Sequence, residues 1–412
     1  MGWFATCVLV LVILRLAAQL VLEALNRMEA GRNATRCPDG LEGVMDAATY
    51  SRSVQYSLAR GRFASVVAVF EAAVLLALLF GGALPWLWAG IDGLAPGAAW
   101  SGALCLIAAM MLLGLFGLPL EWWSQFRLEE RFGFNNSTLG LWVADRIKFA
   151  LLGLGIGFPI MWSLLALAHR VGPLWWVWGF VLLFGFQVLM IVLYPKLILP
   201  LFNKLSPLPD GDQRTRLLAL SRRTGFRAKT IETMDGSRRS GHSNAYFTGF
   251  GRFRRIVLFD TLMAQLAPEE LEAVLAHEIG HYRLGHIPRI MALMALLQFG
   301  ALGAAAWLAR APWFDTAFGL PGGTLAPALL LCGLLSGLVT FWFAPAGNWL
   351  SRRNEFEADA FARGAVGSSA PMIGALRKLS QKNLSNLTPH PLYSMFYYSH
   401  PTLIERERAL QK

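Results

Sequence analysis

From Gly102 to Leu120 every side chain is apolar, and the run is close to the ~20 residues that a helix needs to cross a bilayer. Lipid offers no water to bind backbone amides, so such a stretch must satisfy them internally, as a helix or within a closed barrel. Period-two alternation is missing, which selects the helix. Runs of similar character occupy about 3–24, 62–80, 147–168, 173–194, 287–309 and 325–347, and together they predict seven spanning helices. With 55% hydrophobic and 15% charged residues, the chain lies well outside soluble composition. The predicted class is an all-α membrane protein with soluble segments between spans.

Two ionisable residues, Arg15 and Glu71, fall inside predicted spans. Such groups are costly in lipid and should face protein or water, although Arg15 could equally snorkel to the interface. Segment 1–24 carries no basic residue ahead of its apolar run, so it reads as a retained helix and not a cleaved signal. Arg27, Arg32, Arg36, Arg52 and Arg60 crowd the loop after the first span, whereas 81–99 has no lysine or arginine. The basic side is ordinarily cytoplasmic. Alternation from there places 195–286 and the C-terminal tail on that same side. The net charge of +11 then reflects topology and attraction to anionic headgroups, with no nucleic-acid partner expected. Short loops and the lack of a targeting tail predict a bacterial inner membrane, and a monomer is expected. Cys7, Cys37, Cys105 and Cys332 lack C-x-x-C spacing and read as small apolar residues.

Chemistry is concentrated in Leu275-Ala276-His277-Glu278-Ile279-Gly280-His281. On a helix, residues four apart share a face, so His277 and His281 can hold one metal ion between them. Glu278 lies about 100° further round and aims at a metal-bound water as a general base. Pro268 suits a first helical position, Glu269 and Glu270 supply first-turn negative charge, and Leu271, Val274, Leu275 and Leu284 form an apolar stripe. A tetrahedral zinc with two histidines and a water still needs one protein ligand, commonly a distant carboxylate. Glu355 and Asp359, four apart on a predicted helix, provide a pair in which one binds metal while the other orients a ligating histidine. Glu357 points to another face and reads as solvated. His286, five residues past His281, reads as a capping or packing histidine; His242 and His390 receive no role.

Between the fifth span and the metal helix the chain turns polar. Ser206 to Gly211 breaks the apolar run, a basic helix is predicted at 212–224, and Ala245–Gly249 and Arg255–Phe259 read as strands of a hairpin. Its free edge can take an extended peptide through backbone hydrogen bonds, or the hairpin can be purely structural; spacing does not separate the two.

Taken in order along the chain, these segments resemble one family. Gly133-Phe134-Asn135, Asn203 to Pro209, His242-Ser243-Asn244-Ala245-Tyr246-Phe247 and Ile256 to Leu262 belong to the match. So do His277 to His286, Glu355 to Phe361, Pro391 to Ser394, Tyr398-Ser399-His400-Pro401 and Glu405-Arg406. The family is the type I CAAX prenyl proteases, integral-membrane zinc endopeptidases that also mature yeast a-factor. The resemblance implies seven helices forming a barrel around a large water-filled chamber, lined in part by Arg15 and Glu71. A gluzincin-like zinc metallopeptidase domain of helices plus a small sheet closes its cytoplasmic end. It implies four parts: 1–195 with five spans, 196–286 with the metal helix, 287–347 with spans six and seven, and the C-terminal 348–412. It implies one Zn2+ on His277, His281 and Glu355, with Glu278 as base and Asp359 behind His277. Asn244 and Ala245 match the substrate-binding edge strand, and His400 and Arg406 match residues that steady the oxyanion and the active site. Expected partners are the bilayer and a peptide or membrane-associated protein, prenylated or met in quality control. Two rivals are a transporter or channel with a structural metal, and a chaperone-like binding protein.

Overall fold

A computed structural model describes residues 2–34, 37, 43–226, 230–242, 245–248 and 255–412, the segment 245–248 in backbone only. Helices dominate, as the apolar runs require. α1 (Trp3–Arg32) and α2 (Ala47–Phe80) pack together along the bilayer, and Asp46 starts α2 by accepting from the amide of Thr49 at 2.7 Å. A short α3 (Ala83–Asp92) leads into α4 (Ala99–Trp123), which carries Pro119 and widens into a π-turn over Ser124–Glu129. Helical structure then runs from Leu139 to Phe202 as α5 (Leu139–Leu152), α6 (Phe158–Val171), α7 (Trp175–Leu193) and α8 (Leu199–Phe202). Gly172, at φ 72° and ψ −142°, followed by a proline, ends α6 and turns α7 back along it.

Among the described residues, six helical stretches are long and apolar enough to span, against the seven expected. Leu139–Phe202 is the 64-residue one. Its reversal at Gly172 separates the two predicted spans 147–168 and 173–194, which accounts for the difference. Arg15 and Glu71 both line a void of about 30 Å3 with Gln19 and Leu338, and the Arg15 guanidinium stands 5.9 Å over the Phe341 ring.

The polar segment 203–286 folds as α9 (Asp212–Arg223), α10 (Asp260–Gln265), the metal helix α11 (Pro268–Arg283) and four strands. These are β1 (Leu205–Pro207), β2 (Thr230–Met234), β3 (Ala245–Thr248) and β4 (Arg255–Phe259), in sheet order β1-β2-β4-β3. β3 pairs antiparallel with β4, with Ala245 opposite Leu258, and lies at the sheet edge. The loop joining β3 to β4 lies outside the described residues. β2 is parallel to β4 and antiparallel to β1. Ile256, Val257 and Leu258 are buried, and Ile256 and Leu258 share a core with Leu217, Leu271, Leu275 and Ile279.

Beyond the metal helix come α12 (His286–Leu308), the short α13 (Pro312–Thr316), the 42-residue α14 (Leu325–Val366), α15 (Ala370–Lys382), α16 (Pro391–Tyr397) and α17 (Leu403–Gln411). At 1.5 Å per residue α14 is roughly 60 Å long, about twice the hydrocarbon thickness. Its first half packs in the membrane core with Leu331 and Leu338, and its second half carries Glu355 and Asp359 against α11.

Candidate metal centre

Local sequence sets α11 where the chemistry needs it. Pro268 opens the helix, and Glu270 reaches back to the amide of Ala267 at 2.7 Å. Three turns on, His277 and His281 project from one face, with their Nε2 atoms 3.2 Å apart. Glu355 arrives from α14 with Oε2 3.4 Å from His277 Nε2 and Oε1 3.2 Å from His281 Nε2. His277 and Glu355 are buried.

Metal chemistry fits this donor set. Ligand nitrogens of a tetrahedral zinc at about 2.0–2.1 Å stand about 3.3 Å apart, close to the histidine separation. Glu355 Oε2 is buried with no hydrogen-bond partner, which is the situation of a ligand oxygen awaiting a cation. His277, His281 and Glu355 form the one group of this kind among the described residues.

Behind His277 stands Asp359, whose Oδ1 lies 2.8 Å from Nδ1 of the imidazole. Asp359 in turn accepts two bonds from Arg406, at 2.8 Å from Nε and 2.6 Å from a terminal nitrogen. Arg406 is buried and held on α17, whose start is fixed by reciprocal bonds between Thr402 and Glu405. Burial alone would lower the His277 pKa, but the Asp359 carboxylate bonded to Nδ1 and the nearby Glu355 carboxylate outweigh it and hold it at about 9. Burial raises the Glu278 carboxyl, and its charge is felt by Arg406.

His400 stands at the rim with Nε2 3.5 Å from Glu355 Oε1 and its Nδ1 3.0 Å from Ser399 Oγ. Partial desolvation against the site lowers its pKa, while 63% of the side chain stays exposed. A cavity of about 620 Å3 opens beside it, lined by Tyr56, Arg60, His242, Tyr393 and Tyr398 among others. A second of about 330 Å3 shares Arg60 and Tyr397 with the first and reaches Glu71.

Thus His277, His281, Glu355, Asp359, Arg406 and His400 converge. Ala245 begins the edge strand β3, while Asn244 lies outside the described residues. Two sequence expectations need correction. His286 is not a mere packing residue: its ring is buried between His281 and Glu357, with nitrogen contacts of 3.0 and 3.1 Å. Glu357 is not simply solvated, since it engages both His286 and Arg353. The signal available was Gly285, whose positive φ of 71° turns the chain so that residue 286 folds back beside His281. His242 and His390, left without a role, hold structure: His242 stacks on Phe134 at 4.1 Å, and His390 caps α16.

Known proteins carry the same pattern. Residues 28–204 match a family model described as CAAX prenyl protease N-terminal, five membrane helices, and residues 207–412 match peptidase family M48. A CAAX prenyl protease 1 homolog of Arabidopsis thaliana is 37% identical over 387 residues, 90% of either chain. CAAX prenyl protease 1 of Saccharomyces cerevisiae is 35% identical over 406 residues, covering 91% of this chain and 88% of that one. The crystal structure of S. mikatae Ste24p superposes over 100% of both chains with a TM-score of 0.93 at 32% identity. The M48 match implies a metal at a site that the three converging ligands already fit, and the apolar helices place the chain in a membrane. The chain therefore belongs to the CAAX prenyl protease family within peptidase family M48, as a multi-pass integral-membrane metalloendopeptidase.

Proposed function

We propose that this protein cleaves CAAX-type prenylated peptides or membrane-associated proteins in quality control, using one Zn2+ held by His277, His281 and Glu355. The observation that carries the reading is the convergence of those three ligands, with Glu278 on α11 between the two histidines. Zinc, when bound, lowers the pKa of water to about 7 and polarises a carbonyl. Glu278 accepts the proton and passes it to the leaving amine. Neutral His400 donates towards the developing oxyanion. Asp359, gripped by Arg406, holds His277 in the tautomer whose Nε2 is bare. An extended substrate adds to the edge strand β3 at Ala245, with Asn244, which precedes it in sequence, as the second substrate-binding residue. The linked cavities support a chamber feeding the centre from the membrane region.

The same reading divides the chain into a five-span region 1–195, the parts 196–286 and 348–412 of the peptidase domain, and spans six and seven at 287–347. It makes the protein a monomer in a bacterial inner membrane with the peptidase domain in the cytoplasm. The test is zinc content together with cleavage of a quenched-fluorescent farnesylated CAAX peptide by detergent-purified protein. Glu278→Gln should keep stoichiometric zinc and lose about 10²–10⁴ in rate. Equal rates in variant and wild type would remove Glu278 as base.

A further inference from the structure

His281 presents Nε2 to His277 and Glu355 and turns Nδ1 away from them. That Nδ1 lies 3.0 Å from Nδ1 of His286, and Nε2 of His286 lies 3.1 Å from Oε2 of Glu357. Glu357 also accepts from Nε of Arg353 at 3.1 Å. With both imidazoles neutral, one proton arrangement satisfies the whole row. Ionised Glu357 has nothing to donate, so His286 carries its proton on Nε2 and offers a bare Nδ1. His281 must then donate from Nδ1, which leaves its Nε2 bare on the side of the metal ligands. We infer that His286 and Glu357 act as positioning residues, a relay that fixes the tautomer and ring plane of His281 for metal binding. The inference rests on the zinc reading above.

Each ligating histidine is thus oriented from behind, but by different means. His277 meets a buried carboxylate directly, with Arg406 behind it. His281 reaches its carboxylate through a neutral imidazole. The relay has the marks of a built feature: His286 is 1% exposed, and a ring so buried needs partners for both nitrogens. It is the first residue of α12, brought against the end of α11 by the positive φ of Gly285. Glu357 sits on the same helix as the metal ligand Glu355, so α14 supplies a ligand to the ion and the far end of the relay together.

Competition between full-length, detergent-solubilised protein and a zinc-binding chromophore tests this. His286→Leu is expected to weaken zinc binding about 10–100-fold, the usual effect of losing a partner behind a ligating histidine. Glu357→Ala should weaken it by about 10-fold. Because the two act in series, the double variant should be no weaker than His286→Leu alone. His286→Gln should recover most of the affinity, since its amide oxygen accepts from His281 while its NH2 donates to Glu357. The Glu357 side chain is 35% exposed, so its truncation keeps the test decisive if His286→Leu does not fold. Unchanged affinity in Glu357→Ala, or losses that add in the double variant, overturns the relay. Wild type that holds zinc while every variant matches it overturns the relay alone; wild type without zinc overturns the metal reading with it.

Discussion

Glu355 and Asp359 are one helical turn apart on α14, yet their surroundings give them opposite tasks. Asp359 has both oxygens occupied by Arg406 and His277, whereas Glu355 keeps one buried oxygen unpartnered beside the two Nε2 atoms. Spacing identified the pair but could not divide the labour, because the division depends on Arg406 arriving from α17. Glu355→Ala should therefore lose zinc, read by metal analysis of the purified protein; retained stoichiometric metal would sink the ligand assignment. His286 and Glu357 were illegible for a related reason. Their roles depend on how α12 leaves α11, and helical spacing across the break at Gly285 says nothing about that. Glu278 also bears on pH dependence. Burial raises its carboxyl above the usual 4.5, and only the ionised form can take a proton. Activity should accordingly fall as pH drops through a value above 4.5, as an acid limb of kcat/KM. A profile flat to pH 4 would argue against Glu278 as base.

At the scale of elements, the centre exists only while α11 and α14 cross at close range. Gly280 is a point of close approach. A Cβ there would meet Ala358 Cα and Phe361 Cβ, each at 3.2 Å, and the first of these is backbone that cannot swing aside. Gly280→Ala gains about 1 kcal/mol of helix propensity but forces two packed helices apart, which typically costs about 1–3 kcal/mol. Since α14 carries Glu355, the separation should also reduce zinc affinity. A lowered thermal midpoint together with weaker zinc retention is the expected result; a raised midpoint with unchanged zinc would mean that the helices yield. The start of α11 at Pro268 was readable, because proline and first-turn acids act locally. β3 and β4 were readable as well, but β1 and β2 were not. β1 is three residues ending in Pro207 and owes its form to pairing with β2, while β2 alternates weakly and is held between β1 and β4.

Across the whole molecule, spans were the most legible feature, because bilayer thickness imposes one length on all of them. The short α3 and α13 escaped notice, since neither is long enough to carry a period. The structure ties the arginine-bearing ends of α1 and α2 to the metal end: Ser53 Oγ on α2 donates to the Ser385 carbonyl at 2.8 Å, and the Asn386 side chain meets Asn26 on α1 at 3.2 Å. The opposite end, between α3 and α4, has no lysine or arginine from 81 to 99. If charge bias sets orientation, the metal end lies in the cytoplasm and the α3–α4 loop outside. Leu94 is 70% exposed in that loop, and Lys382 is exposed at the end of α15 on the metal side. With Cys7, Cys37, Cys105 and Cys332 replaced, a membrane-impermeant maleimide applied to intact cells should label Leu94→Cys and spare Lys382→Cys. Permeabilised cells should label both. The reverse pattern in intact cells would put the peptidase domain outside, and substrates would then have to reach Glu278 from the non-cytoplasmic face.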